Sequence, residues 1–203
     1  MNRLTSIGPL LLIIILSCSA LDNFEKTLGK QQVRALDKWV DEFKEFLNLN
    51  LPELDTKDAY NKFLKDMSEG NFKQYKSHLQ PGEMSQLNAS IRESGLWEEI
   101  WSNKEVFNDR EDEIIFIPRN SNKKVQQETK YFNTYGKYLN ALKALNSQDS
   151  LITDYIKVKE VAGDISRNLI AYGLLHFKPD YSDKIIQCII AIEFGWILFK
   201  PEE

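Results

Sequence analysis

The 203-residue sequence has few of the residues from which metal centres and catalytic sites are most often built. It contains two cysteines and two histidines, and these form no HExxH, CxxC or paired-histidine motif. Structural and catalytic metals are usually held by histidine and cysteine at short, regular spacing. The Gly-x-Ser-x-Gly turn that presents a catalytic serine in hydrolases is also missing. The sequence therefore predicts no metal, no cofactor and no assignable catalytic residue.

An excess of positive charge is also lacking. Lysine and arginine number 26 against 30 aspartates and glutamates, which gives a formal net charge of −4. Nucleic-acid-binding domains need a basic face, and the charges here are mixed along the chain. Hydrophobic residues make up 42% and charged residues 28%, an ordinary globular composition. The sequence predicts a globular domain that does not bind nucleic acid.

The N-terminal apolar region is too short to cross a membrane. Residues 10–16 are all leucine or isoleucine, and the apolar region that begins at Leu4 spans about a dozen residues. A helix rises ~1.5 Å per residue, so this one falls well short of a ~30 Å hydrocarbon core. A short apolar segment behind the positive start amine and Arg3 is typical of a secretory signal peptide.

This segment ends in Ile-Leu-Ser-Cys at residues 15–18, which resembles the lipobox of bacterial lipoproteins. The resemblance implies cleavage before Cys18 and a lipid on its thiol, so that the membrane is one predicted partner. Ser19 follows the cysteine, and by the sorting rule of enterobacterial lipoproteins this favours the outer membrane over the inner. The resemblance therefore implies an exported protein anchored in the bacterial cell envelope. Ordinary cleavage after Ala20, which closes a small-x-small pattern, is the alternative.

The sequence divides into a signal peptide at 1–17, a lipidated tether at 18–22 and a helical domain at 23–203, with candidate sub-halves 23–107 and 128–200. About 186 residues remain after cleavage, enough for one hydrophobic core. If Cys18 carries lipid, Cys188 has no cysteine with which to form an intramolecular disulfide. Because Cys188 lies in an apolar helical run, we expect a small buried side chain with an unreactive thiol.

The fold class predicted is all-α: a single bundle of about six to eight helices, with a short β-hairpin or loop excursion near 108–127. Apolar residues recur at intervals of three and four along most of the chain, which indicates helices with one buried stripe. One long helix is predicted from Asp149 or Ser150 to about Phe177, with Leu169 and Tyr172 on its core face. Other predicted helical segments are 23–48, 56–70, 72–79, 83–95 continuing to 101, 127–145 and 182–199. The last is apolar nearly all round, so we expect it at the centre of the bundle.

Glu193 is the most unusual residue of that last helix, because it shares an apolar face with Ile189 and Trp196. A buried carboxylate costs several kcal/mol unless it is paired or protonated. Arg167, on the preceding predicted helix, is a candidate partner. Glu193 is then either an acid with a perturbed pKa in a cleft, a structural ion pair, or a residue that reaches water at the bundle end.

Trp97 and Trp101 form a second candidate site, since they lie one helical turn apart. If exposed, this pair would form a binding surface for a peptide, a glycan or a partner helix. Packing of both rings in the core is the alternative.

These features favour a membrane-tethered lipoprotein with a non-enzymatic binding, accessory or inhibitor/immunity-type role and an unidentified protein or peptide partner. The alternative is an exported hydrolase or metal-assisted enzyme that uses scattered groups, with Glu193, Asp109 and His176 as candidates. Convergence of those three on one concave pocket would favour the enzyme. An exposed Trp97–Trp101 patch, with the three dispersed, would favour binding.

Overall fold

The computed structural model describes residues 20–102, 131–145 and 149–199. The predictions for the signal peptide, for Cys18 and for the 108–127 excursion lie outside these residues. Within them the chain is an assembly of helices with one two-stranded sheet, so the all-α prediction is confirmed. None of the helices described is both long enough and apolar enough to span a bilayer.

The described helices range from 5 to 21 residues in length. The strands pair antiparallel, with Trp101 opposite Phe132. In order, the described elements are α1 (residues 20–28), α2 (Lys30–Asn50), α3 (Thr56–Glu69), α4 (Pro81–Glu93), α5 (Leu96–Ile100), β1 (Trp101–Ser102), β2 (Tyr131–Phe132), α6 (Lys137–Ala144), α7 (Ser150–Ala162), α8 (Arg167–Phe177), α9 (Lys184–Phe194) and the 3₁₀ helix η1 (Gly195–Phe199).

Helix ends follow from local side-chain chemistry. Asp55, Asp149 and Asp183 precede α3, α7 and α9, and each carboxylate accepts a hydrogen bond from a backbone N–H of the first turn. Those N–H groups have no partner inside the helix, so an aspartate at this position stabilises the start of a helix by about 1 kcal/mol. Gly70, with φ of 78°, ends α3 in the left-handed conformation that glycine adopts most readily.

The prediction of one helix from Asp149 to Phe177 is wrong. The helix α7 ends at Ala162, Gly163 takes a φ of 59°, and α8 begins at Arg167. The break shifts the helical register, so Leu169 and Tyr172, predicted in the core, are 63% and 67% exposed. It also creates the short turn 163–166, which is important for the site described below.

Four other differences from the prediction concern where helices begin, end or form. The first helix is interrupted at Gly29, where φ is 102°, and residues 72–79 are not helical. The helix predicted to continue through Trp101 ends at Ile100, and the helix predicted from residue 127 begins at Lys137. Trp101 and Phe132 are instead cross-strand neighbours, and aromatic side chains favour such pairing.

The helix α9 lies at the centre of the fold, as its composition predicted. Every residue from Ile185 to Phe194 is buried, and α9 contacts α2, α8 and η1. Cys188 on this helix is fully buried. Desolvation by burial raises the pKa of its thiol to about 12, which agrees with the unreactive side chain expected from the sequence.

Candidate functional site: a tryptophan-lined cleft

A cleft of about 560 Å³ opens where α2, α4, α5 and the 163–166 turn meet the C-terminal end of α9 and η1. This volume lies within the ~300–1,000 Å³ range of small-molecule sites. Its apolar lining contains all four tryptophans of the sequence. The lining residues are Trp39, Trp97, Trp101, Ile165, Ile192, Trp196 and Phe199, together with the polar residues Asn88, Arg92, Asp164, Ser166, Arg167 and Glu193.

The aromatic rings form a continuous wall. The ring centroids of Trp97 and Trp101 are 4.3 Å apart, those of Trp101 and Trp39 are 5.7 Å apart, and those of Trp39 and Phe199 are 6.3 Å apart. Trp39 is fully buried behind this wall, whereas the rings of Trp97 and Trp101 are half-buried. The predicted Trp97–Trp101 pair is therefore in contact, but it lines a concave cleft instead of forming an exposed patch.

Two arginines lie at the rim of the cleft, each against a tryptophan ring. The guanidinium carbon of Arg92 is 4.6 Å from the ring centroid of Trp97, and that of Arg167 is 4.7 Å from the ring centroid of Trp196. Stacked guanidinium groups are attracted by the face of the ring and keep their N–H donors available in their own plane. Arg92 uses its Nε to donate to Oδ1 of Asn88 at 3.2 Å.

A buried ion pair forms part of the floor of the cleft. Nζ of Lys159 lies 2.8 Å from Oε1 of Glu193, and the two side chains are 1% and 8% exposed. The hydroxyl of Tyr155 donates to the same Oε1 at 2.5 Å. Nζ of Lys159 also lies 4.5 Å from the ring centroid of Phe132, and Oδ1 of Asp164 is 3.9 Å away. A carboxylate enclosed in this way has a fixed position and orientation.

The surroundings keep Tyr155 protonated. Burial, together with the neighbouring Glu193 carboxylate, raises the pKa of Tyr155 well above its usual value. The hydroxyl is therefore a permanent hydrogen-bond donor to Glu193. The contacts of both Tyr155 and Lys159 reach Oε1, and no described residue donates a hydrogen bond to the second carboxylate oxygen, Oε2.

The structure places the predicted residues Glu193 and Arg167 at the same cleft but does not pair them. Glu193 is buried and charge-paired, as one interpretation of the sequence required. Its cation is Lys159, and Arg167 stacks on Trp196 instead. Lys159 was missed, although it follows Tyr155 by one helical turn on the face of α7 that the sequence marks as apolar. A lysine on the apolar face of a helix indicates a buried ion pair, and this was the signal in the sequence.

Of the three groups proposed for an enzyme, two lie among the described residues, and these two are not at the same site. Glu193 lines the cleft, whereas His176 lies near the C-terminus of α8 with its ring against Phe177 and is not part of the lining. Asp109 lies outside the described residues. In residues 20–102, 131–145 and 149–199, no group of three or more histidine, cysteine, aspartate or glutamate side chains is arranged to hold a metal ion.

The cleft thus offers three kinds of contact: aromatic faces for stacking, two guanidinium groups at the rim and an oriented carboxylate at the floor. A mostly apolar concavity with a few fixed polar groups is the usual form of a small-molecule site. Resemblance to other proteins adds nothing to this argument, since no protein-family model, no curated protein and no solved structure matches the chain.

Proposed function

We propose that this chain is an exported lipoprotein, anchored in the bacterial cell envelope through Cys18, that binds a small molecule in the tryptophan-lined cleft without converting it. The anchor rests on the lipobox-like residues 15–18. The sorting preference for Ser19 favours the outer membrane. A protein or peptide partner would enter a cleft of about 560 Å³ only through a chain end or a single side chain.

One observation carries the binding role: all four tryptophans line the same cleft. They come from α2, α5, β1 and η1, which lie in three separate parts of the sequence because α5 and β1 are adjacent. Tryptophan provides a large, rigid ring face with few rotatable bonds, so a ligand that stacks on it loses little side-chain entropy from the protein. Packing of the core does not require Trp97, Trp101 and Trp196 to remain half-exposed along one concave surface.

The enzymatic alternative has one observation in its favour, the location of Glu193 at the floor of the cleft. Its Oε1 is engaged by Tyr155 and by Lys159. A carboxylate held in place by two partners suits a fixed binding group better than an acid that must exchange a proton with its substrate. Binding without conversion is therefore the better-supported function.

The test is to isolate the full-length protein from its native membranes in mild detergent and to measure its intact mass by mass spectrometry. Native conditions preserve bound compounds, and denaturing conditions give the mass of the chain with its covalent lipid. The wild type is expected to carry a lipid mass on Cys18 and to retain a stoichiometric small molecule. The Trp97→Ala variant should keep the lipid and lose the compound. Tyr172→Ala, which removes an exposed aromatic ring outside the cleft, is the matched control and should retain both.

Two results would contradict the proposal separately. An unmodified chain that begins at Leu21 would refute the lipid anchor while leaving the cleft untouched. A compound retained equally by the wild type and by Trp97→Ala would refute the cleft as its site. Recovery of the compound in chemically altered form, dependent on Glu193, would favour the enzyme.

A further inference from the structure

We infer that the cleft selects a small, flat ligand that carries a carboxylate, with its apolar body against the tryptophans and its anionic group at Arg92 and Arg167. This inference rests on the proposed function, because it assumes that the cleft is a binding site. It adds the chemical class of the ligand and the orientation of the ligand in the cleft.

Charge is the first argument. The chain as a whole is acidic, with a formal net charge of −4, yet three cations meet two carboxylates at the cleft and its floor. Lys159 is shared by Glu193 and by Asp164, at 2.8 and 3.9 Å. Among the residues that the structure describes, no carboxylate lies within ion-pair distance of Arg92 or Arg167. Within that part of the chain, both positive charges at the rim are available to an anionic ligand.

The geometry of the arginines is the second argument. Stacking on Trp97 and on Trp196 orients the two guanidinium groups before a ligand arrives. A planar, oriented guanidinium group suits a carboxylate, which it can bind through two parallel hydrogen bonds. The contact between Arg92 Nε and Asn88 leaves the terminal nitrogens of Arg92 as the donors for a ligand.

The start of α8 adds positive potential at the same rim. Ser166 lies at the N-cap position, lines the cleft and makes no side-chain capping hydrogen bond. The first backbone N–H groups of a helix lack intrahelical partners and attract anions. They reinforce the charge of Arg167, which is the first residue of this helix.

The floor of the cleft sets the orientation. Glu193 places a carboxylate at the inner end, and its Oε2 would repel a second anion there. A ligand with one anionic group is therefore bound with that group at the rim and with its ring system inward. Oε2 remains available to accept a hydrogen bond from a neutral N–H or O–H group at the inner end of the ligand.

The experiment measures by titration calorimetry the affinity of the full-length protein in detergent for two probes with the same ring system, 2-naphthoate and the uncharged 2-naphthamide. Titration of each probe into micelles without protein is the blank. We expect the carboxylate to bind about tenfold more tightly than the amide, since hydrogen bonds between a guanidinium group and a carboxylate are stronger than those to a neutral amide. Arg92→Gln and Arg167→Gln should each remove most of this preference, because each should lower the affinity for the carboxylate much more than the affinity for the amide. Arg34→Gln, at an exposed arginine outside the cleft, is the control and should change neither.

The outcomes separate this inference from the function on which it rests. Equal affinities for the two probes, both lost in Trp97→Ala, would overturn the selection of anions and leave the cleft as a binding site. A preference for the carboxylate that survives both arginine substitutions would also overturn it. Binding indifferent to Trp97→Ala, or no binding of either probe, would contradict the cleft itself and this inference with it.

Discussion

Lys159 and Glu193 show how far a single residue can be predicted from the sequence. The apolar neighbours of Glu193 predicted a buried acid that needs a cation, and the structure has one. The identity of the cation was not predictable from spacing, because Lys159 and Glu193 are brought together by the packing of α7 against the C-terminal region of the chain. Arg167 is closer to Glu193 in the sequence than Lys159 is. Because the helix breaks at residues 163–166, however, Arg167 lies at the rim of the cleft.

We predict that Lys159→Met destabilises the protein by about 3–5 kcal/mol, because it leaves a buried carboxylate without its cation. The double variant Lys159→Met/Glu193→Gln should recover most of this loss. It removes the charge and keeps an oxygen that accepts from Tyr155. The free energy of unfolding, measured by urea denaturation of the two variants, checks this prediction.

The matched control is Lys157→Met on the same helix. Lys157 lies 3.3 Å from Asp154, and both side chains are exposed, so its loss should cost less than about 1 kcal/mol. Equal stability losses in Lys159→Met and Lys157→Met would show that the buried pair contributes no more than a surface one.

A second prediction concerns Cys188. In the Cys18→Ala variant, where Cys188 is the only cysteine, the thiol should not react with a disulfide reagent at pH 8 while the protein is folded. Burial raises its pKa from 9.0 to about 12, so the reactive thiolate is scarce as well as inaccessible. Urea unfolding should expose one reactive thiol. Rapid, stoichiometric reaction of the folded protein would contradict the packing of α9.

The same pKa shift fixes the sign of a pH effect. The folded state holds the thiol proton more tightly than the unfolded state does. The contribution of Cys188 to stability is therefore fully present below about pH 9 and is lost as the pH rises from there towards 12.

At the scale of the elements, helices with a continuous apolar pattern were predicted well and the junctions between them were not. The composition of α9 alone indicated its central place, and α3 begins at Thr56 as predicted. The apolar pattern of α7 continues through residues 163–166 without a gap, so a single helix was predicted. Gly163, and Ser166 at the N-cap position of α8, were the local signals of the break.

The contact between α2 and the C-terminal segment yields a third prediction. A Cβ atom on Gly195 would lie 2.3 Å from Nε1 of Trp39, so Gly195→Ala must displace a fully buried ring. We expect a loss of about 1–3 kcal/mol, the usual cost of overpacking, although φ at Gly195 is −64° and suits alanine. Thermal denaturation measures this loss.

Gly173→Ala provides the control for that substitution. Gly173 lies inside α8, and nothing lies within 4 Å of the position of its Cβ. Alanine there should stabilise the helix by about 0.4–1 kcal/mol, because it reduces the freedom of the unfolded chain. A stabilising Gly195→Ala would mean that Trp39 does not pack against the C-terminal segment as described.

At the scale of the whole molecule, the cleft draws on both predicted sub-halves. Trp39, Trp97 and Trp101 belong to residues 23–107, and Glu193 and Trp196 belong to residues 128–200. Sequence reasoning identified most of these residues separately. It could not bring them together, because no local pattern relates residues about 150 positions apart.

A fourth prediction follows because the cleft is formed by residues of both sub-halves. A ligand that contacts both parts binds only the folded chain, so at about 100 times its dissociation constant it should stabilise the protein by about 2.7 kcal/mol. Urea denaturation with and without 2-naphthoate tests this in the wild type and in Trp97→Ala. An equal gain in both proteins would place the binding outside the cleft.

The most direct test of the central claim uses the tryptophans themselves. Labelling the Cys18→Ala protein with 5-fluorotryptophan gives one ¹⁹F NMR signal for each of Trp39, Trp97, Trp101 and Trp196, which can be assigned by single substitutions. If these residues line one ligand-binding cleft, titration with 2-naphthoate should shift all four signals along a single binding curve. If the signals stay in place at concentrations where calorimetry shows binding, or if one signal moves alone, the cleft is not the binding site of this protein.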